Sequence, residues 1–157
     1  MAKWLLGAVL GVVAAPLVLL VVGLRWNLMP VVNALRRFNK SVTNPRVAAT
    51  AGAAGTQTSL IRHTGRTSGK TYETPVDVVP TASGFLIALP YGRRVDWLRN
   101  VLATGTATVV TTGVGVAVDS PRLVATQDVS ELLPRSMRRV LRLFNVGECV
   151  HLERAAS

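Results

Sequence analysis

From Trp4 to Leu24 the chain carries no charged side chain, and only Gly7, Gly11, Pro16 and Gly23 interrupt its apolar run. At about 1.5 Å per residue a helix of that length spans roughly 30 Å, the thickness of a bilayer's hydrocarbon core. A secretory signal has a shorter apolar part, of about 7–15 residues, and ends in a small-x-small cleavage site. Here Lys3 and Arg25 bracket the run, and Trp26, an interfacial residue type, comes directly after it. Residues 1–25 therefore read as a retained single-pass transmembrane anchor, with a processed leader as the alternative. Arg25, Arg36, Arg37, Lys40 and Arg46 all precede the first acid, Glu73. The positive-inside rule places the body of the protein on the cytoplasmic side of the cell membrane.

Composition agrees with a small basic domain behind an apolar anchor. The 157 residues are 49% hydrophobic, too apolar for a disordered chain, and 18 Lys and Arg against 8 Asp and Glu give a formal charge of +10. Nucleic acid is a poor partner for this surplus. Aromatics are only 5% and do not alternate with Lys and Arg as base-stacking platforms do. The single cysteine, Cys149, excludes a disulfide framework and fits a reducing compartment. With His63 and His151 far apart in sequence, no metal site is expected.

Residues 26–57 read as a juxtamembrane helix and linker. Leu28, Val31, Val32, Leu35 and Phe38 recur at helical spacing, and the small-residue run 48–55 is a linker or loose loop without apolar period. Residues 58–157 form the domain. Strands are expected at 59–63, 72–79 and 84–89, with a Gly-rich turn at 64–70. A helix over 94–104 stops at Gly105, and a hairpin turns at Gly113 between strands 106–112 and 114–118. A short strand near 123–125, a helix over 129–144 and a last strand over 148–152 complete an α+β domain. It is mainly antiparallel β, of the kind that closes into a small barrel with helices outside.

The turn from Thr64 to Lys70 carries the most chemistry. Its two glycines permit close backbone approach, successive amides can form an anion-binding nest, Arg66 offers a guanidinium fork, and Thr67 and Ser68 offer hydroxyls. These are the groups a phosphate or carboxylate needs; a solvated hairpin turn has the same composition, and both readings stand. The glycine spacing matches neither the nucleotide P-loop nor the dinucleotide fingerprint.

Three segments together, His63-Thr-Gly-Arg-Thr-Ser-Gly-Lys with Thr74-Pro75, Leu89-Pro-Tyr-Gly92, and Asp96-Trp-Leu-Arg-Asn100, make residues 58–110 resemble the deazaflavin-dependent nitroreductase family of actinobacteria. The resemblance implies a split β-barrel related to flavin-binding oxidoreductases, and an enzyme that passes a hydride from reduced coenzyme F-420 to a quinone or nitro compound. By the same resemblance Arg66, Thr67 and Ser68 hold the phosphate end of the cofactor tail, and Thr74, Pro75, Val76 and Asp77 line its groove. Leu89, Pro90 and Tyr91 lie near the tricyclic ring, with Trp97 and Asn100 fixing that end. Tyr91 is the candidate proton or hydrogen-bond donor to the acceptor, or a ring that packs on the cofactor. The chain differs from the family at Thr67, where members often carry Lys or Arg, and it lacks their C-terminal tyrosines.

Membrane attachment makes a lipid-soluble acceptor such as a menaquinone the expected substrate. Other readings are an FMN-dependent reductase of the same fold and a non-catalytic F-420 or flavin binder at the membrane. Barrels of this type often form homodimers. His63 reads as a structural hydrogen-bonding residue and Trp97, alternatively, as core. Along the expected last helix, Arg135, Arg138, Arg139 and Arg142 form a basic face that meets either anionic lipid or solvent.

Overall fold

Two strands that follow each other in the chain lie at opposite edges of one sheet. In the computed structural model, which describes residues 51–53 and 58–156, β1 (Ser59–Thr64) is followed by β2 (Thr71–Val76) and β3 (Val78–Pro80). Only Asp77 separates β2 from β3. The remaining strands are β4 (Gly84–Ala88), β5 (Thr106–Thr111), β6 (Val114–Ala125) and β7 (Glu148–Arg154). All seven join one antiparallel sheet in the order β2-β1-β5-β6-β7-β4-β3.

Laid flat, seven strands would hold their edges about 29 Å apart. The chain across Asp77 reaches only about 7 Å. The sheet must therefore curl until β2 and β3 face each other, which makes a split-barrel-like fold with its seam at Asp77. Among the described residues two helices complete it, α1 (Asp96–Thr104) and α2 (Arg135–Leu143), with a 3-10 turn at Ser130–Leu132. The expected anchor and the juxtamembrane stretch lie outside the described residues. Among the described residues no helix is long and apolar enough to cross a membrane.

Side-chain alternation along the strands makes two cores. Inside the curl, Ile61, Phe85, Ile87, Val109, Val118, Val150 and Leu152 meet Leu98 and Val101 of α1, which plugs one end. On the outer face of the sheet, Val79, Leu86 and Cys149 are covered by Leu133, Leu141 and Val146. β4 is apolar at every position because both its faces are covered. Burial among these side chains pushes the Cys149 thiol above its ordinary pKa, opposed by a hydrogen bond with Thr126. At Gly84 the strands pack so closely that a Cβ would sit 1.9 Å from the Leu152 carbonyl oxygen. Only glycine fits there.

Several boundaries differ from expectation, each for a local reason. The strand expected over 72–79 breaks at Asp77, where the chain crosses the seam. The separate strands expected at 114–118 and 123–125 are one, β6, with an irregularity between Asp119 and Arg122. Pro121, which has no amide to give, sits in that bulge beside Ser120 at φ 49°. The helix expected over 129–144 is interrupted at Leu133 (ψ 140°) because the following Pro134 disfavours the helical conformation. The small-residue segment expected to be a loose loop is seated in part. Ala51 is buried, Gly52 donates to the Thr58 carbonyl, and Gly113 donates to that of Gly52.

Candidate functional site

The turn between β1 and β2 is closed from within. Gly65 N–H donates to the Lys70 carbonyl (2.8 Å) and Gly69 N–H to the Gly65 carbonyl (2.8 Å). A Cβ at Gly65 would lie 2.4 Å from Ser68 Oγ and 2.7 Å from the Tyr72 ring, so those side chains would have to shift to admit one. Ser68 Oγ accepts from the Lys70 amide (3.3 Å) and shares a hydrogen bond with the Tyr72 hydroxyl (3.1 Å). Among the described residues, the amides of Thr67 and Ser68 take no hydrogen-bond partner, and both residues are exposed.

Asn100 anchors this turn from α1. Its Oδ1 accepts from both the backbone N–H (3.2 Å) and Nη1 (2.7 Å) of Arg66. That fixes the amide's orientation, so Nδ2 faces His63 and donates to its Nδ1 (3.1 Å). With Nδ1 accepting, the neutral ring carries its proton on Nε2 and donates to Thr74 Oγ1 (3.3 Å). His63 also stacks on Tyr72, ring centroids 5.9 Å apart, and Arg66 Nη2 lies 3.8 Å from Asp96 Oδ1. Asn100 is 6% exposed and His63 4%. The result is a continuous polar chain, Thr74–His63–Asn100–Arg66–Asp96, between the barrel wall and its plugging helix.

Burial pushes the His63 pKa below its ordinary 6.5, and the Asp96 carboxylate partly offsets this. A histidine that resists protonation when folded draws the unfolded state to take up the proton first. Stability should therefore be flat above about 6.5 and fall as the pH drops through and below that value. Denaturation midpoints measured from pH 8 to pH 5 should show this fall, and His63→Gln should flatten it. An equal fall in the variant would assign the acid sensitivity to other groups.

The residues expected to bind cofactor divide into two sets. Arg66, Thr67, Ser68, Thr74 and Asn100 meet around the turn, with Pro75 and Asp77 further along the β2 edge. Arg66 is not a free fork but a cation already held by Asn100 and beside Asp96. Leu89, Pro90 and Tyr91 form a separate β-turn beyond β4, closed by Gly92 N–H donating to the Leu89 carbonyl (2.9 Å). Pro90 suits its second position. Leu89 and Val76 are buried in the inner core, whereas Tyr91 and Trp97 are half-buried at its margin and Pro90 is exposed.

A depression of about 320 Å³ adjoins the turn, lined by Arg62, His63, Thr64, Thr71, Thr106, Ala107 and Thr108. It opens where pairing of β1 with β5 stops at Arg62 opposite Thr108. None of the residues expected to bind cofactor lines it, although Thr64 and Thr71 flank their turn. Sequence reasoning missed Asp96 and Tyr72, which the fold brings to Arg66 and His63. Their signal was present only as an Asp four residues before a helical Asn and an aromatic at the start of β2.

No protein-family model matches the chain, and no curated protein does. It is similar to solved structures at low identity. One, described as a domain-swapped dimer, is 16% identical with a TM-score of 0.45, the match covering 62% of this chain and 80% of that one. HutZ, the heme storage protein of Vibrio cholerae, is 9% identical with a TM-score of 0.46 over 64% and 83%. The protein Atu2129 of Agrobacterium tumefaciens, of unknown function, is 13% identical with a TM-score of 0.45 over 70% and 53%.

Proposed function

We propose that the chain is a membrane-anchored oxidoreductase that binds coenzyme F-420 and passes a hydride from its reduced form to a hydrophobic electrophile such as a quinone or nitro compound. One observation carries this reading. Arg66 and Asn100, which stand 34 residues apart in two of the three segments of the family resemblance, are in direct contact through two hydrogen bonds. These two motifs thus meet as one built unit rather than as two coincidences of composition.

The residues present fit the anionic tail of this cofactor, which carries a phosphodiester and glutamates. The amides and hydroxyls of Thr67 and Ser68 supply donors, and Arg66 supplies a positive charge whose position is set in advance. Lys70, exposed at the end of the same turn, adds a second cation and stands in for the charge that Thr67 lacks. At the ring end Pro90, Tyr91 and Trp97 supply the surface, since Leu89 and Val76 are turned inward. The cofactor, when bound, supplies the hydride chemistry; the protein binds and orients it. Trp4–Leu24 would hold the domain at the cytoplasmic face, within reach of a lipid-soluble acceptor.

Fluorescence titration of the detergent-solubilised full chain with F-420, with FMN in parallel, tests this. Saturable micromolar binding of F-420 alone is expected. Arg66→Ala should weaken it at least tenfold, or about 1.4 kcal/mol. Binding of neither cofactor would remove the proposal, and an unchanged dissociation constant in the variant would remove Arg66 from the site.

A further inference from the structure

The helix that covers the outer core has more apolar surface than that core uses. Successive helical residues are turned by about 100°, so Met137, Leu141 and the C-capping Phe144 fall on one side of α2 and pack against the sheet, joined by Leu133 from the segment before it. Leu132, Val140 and Leu143 do not join them. They are 56%, 50% and 52% exposed. Arg135, Arg139 and Arg142 lie alongside and are exposed too, and α2 contains no acidic residue.

We infer that the outward side of α2, with the 3-10 turn before it, is a docking surface for anionic lipid, with Val140 and Leu143 of the helix and Leu132 of the turn entering the bilayer interface and the neighbouring arginines meeting the headgroups. Two features commit it to that occupant. Cationic side chains that outnumber the one neighbouring acid, Glu131, select a negatively charged surface, and exposed leucine and valine between them select one with an apolar layer beneath its charges. A nucleic acid offers phosphates but nothing for these aliphatic side chains, and α2 presents no aromatic that would stack on bases. This reading does not rest on the cofactor proposal, because the surface lies over the outer core and away from the Thr64–Lys70 turn.

The test uses the full chain with Leu143→Cys carrying an environment-sensitive fluorophore. The only native cysteine, Cys149, is fully buried, so labelling is selective. The protein is reconstituted into phosphatidylcholine vesicles with and without phosphatidylglycerol, and compared with the same protein in detergent. The apolar segment near the N-terminus is then common to both vesicles and only the headgroup charge differs. Emission should move to the blue in the phosphatidylglycerol vesicles, and the shift should be lost at high salt and in the Arg135→Glu/Arg139→Glu variant. An equal shift in neutral vesicles, or none in either, would overturn the proposal. So would a shift in detergent that grows with protein concentration, which would assign the face to a second copy. A shift on adding a short oligonucleotide without vesicles would assign it to nucleic acid instead.

Discussion

Replacing Asn100 with leucine is expected to lower the stability of the domain by about 3 kcal/mol, and its melting temperature by about 15 °C. The side chains are similar in volume, so the loss comes from hydrogen bonding rather than packing. Arg66 would lose the acceptor of both its backbone and guanidinium N–H groups, and His63 Nδ1 would keep its burial without its donor. Each stranded buried polar group costs about 1–3 kcal/mol. Because the same contact holds the turn, F-420 affinity should fall with stability, and should stay low at temperatures where the variant is still folded. Asn100→Asp separates the two roles. Its carboxylate can still accept from Arg66, but it presents an acceptor to His63 Nδ1 and so favours the protonated ring. This variant should retain much of the affinity while its acid sensitivity declines. A leucine variant within 1 kcal/mol of the parent would show that the buried chain of polar groups does not organise the turn.

The second large effect is expected at Gly84. Gly84→Ala puts a methyl group 1.9 Å from the Leu152 carbonyl oxygen and 2.9 Å from the Glu153 Cα, both main-chain atoms that no rotamer change can move. The pairing of β4 with β7 must open locally, and Gly84 stands opposite Glu153 in that register. Overpacking against flexible side chains costs about 1–3 kcal/mol, so a clash with backbone should cost at least about 3 kcal/mol. Equilibrium denaturation should show a lower midpoint with an unchanged slope. A loss below about 1 kcal/mol would mean that the two strands separate more easily than their geometry implies.

Much of this fold was legible because its signals are local. The turn at 64–70, the hairpin at Gly113 and the end of α1 at Gly105 are written in short runs of sequence, and each lies where those runs put it. The features that were missed depend on partners far along the chain. Nothing in Thr74-Pro-Val-Asp-Val-Val79 says that its halves belong to opposite edges of a sheet; that depends on how the other strands are ordered. Nor does Ser120-Pro121, an ordinary turn signal, reveal a bulge inside a continuous strand. Leu133-Pro134 was the exception, a local signal outweighed by the apolar spacing around it. At the site, the pattern could offer Arg66 and Asn100 but not their contact. His63 read correctly as a hydrogen-bonding residue, while its place as the link between Asn100 and Thr74 appeared only in the structure.

The position of β7 also has a consequence for how the molecule is made. It is the strand nearest the C-terminal end, yet it stands mid-sheet and joins the block β2-β1-β5-β6 to the pair β4-β3. Until Glu148–Arg154 leaves the ribosome, β4 has no neighbour on one side, and Phe85 and Ile87 have no Val150 or Leu152 to cover them. Closure then requires residues about seventy positions apart, Gly84 and Glu153, to meet, a long-range contact of the kind that slows folding. Nascent chains should accordingly stay protease-sensitive through β4 until β7 has emerged, and then become resistant in one step.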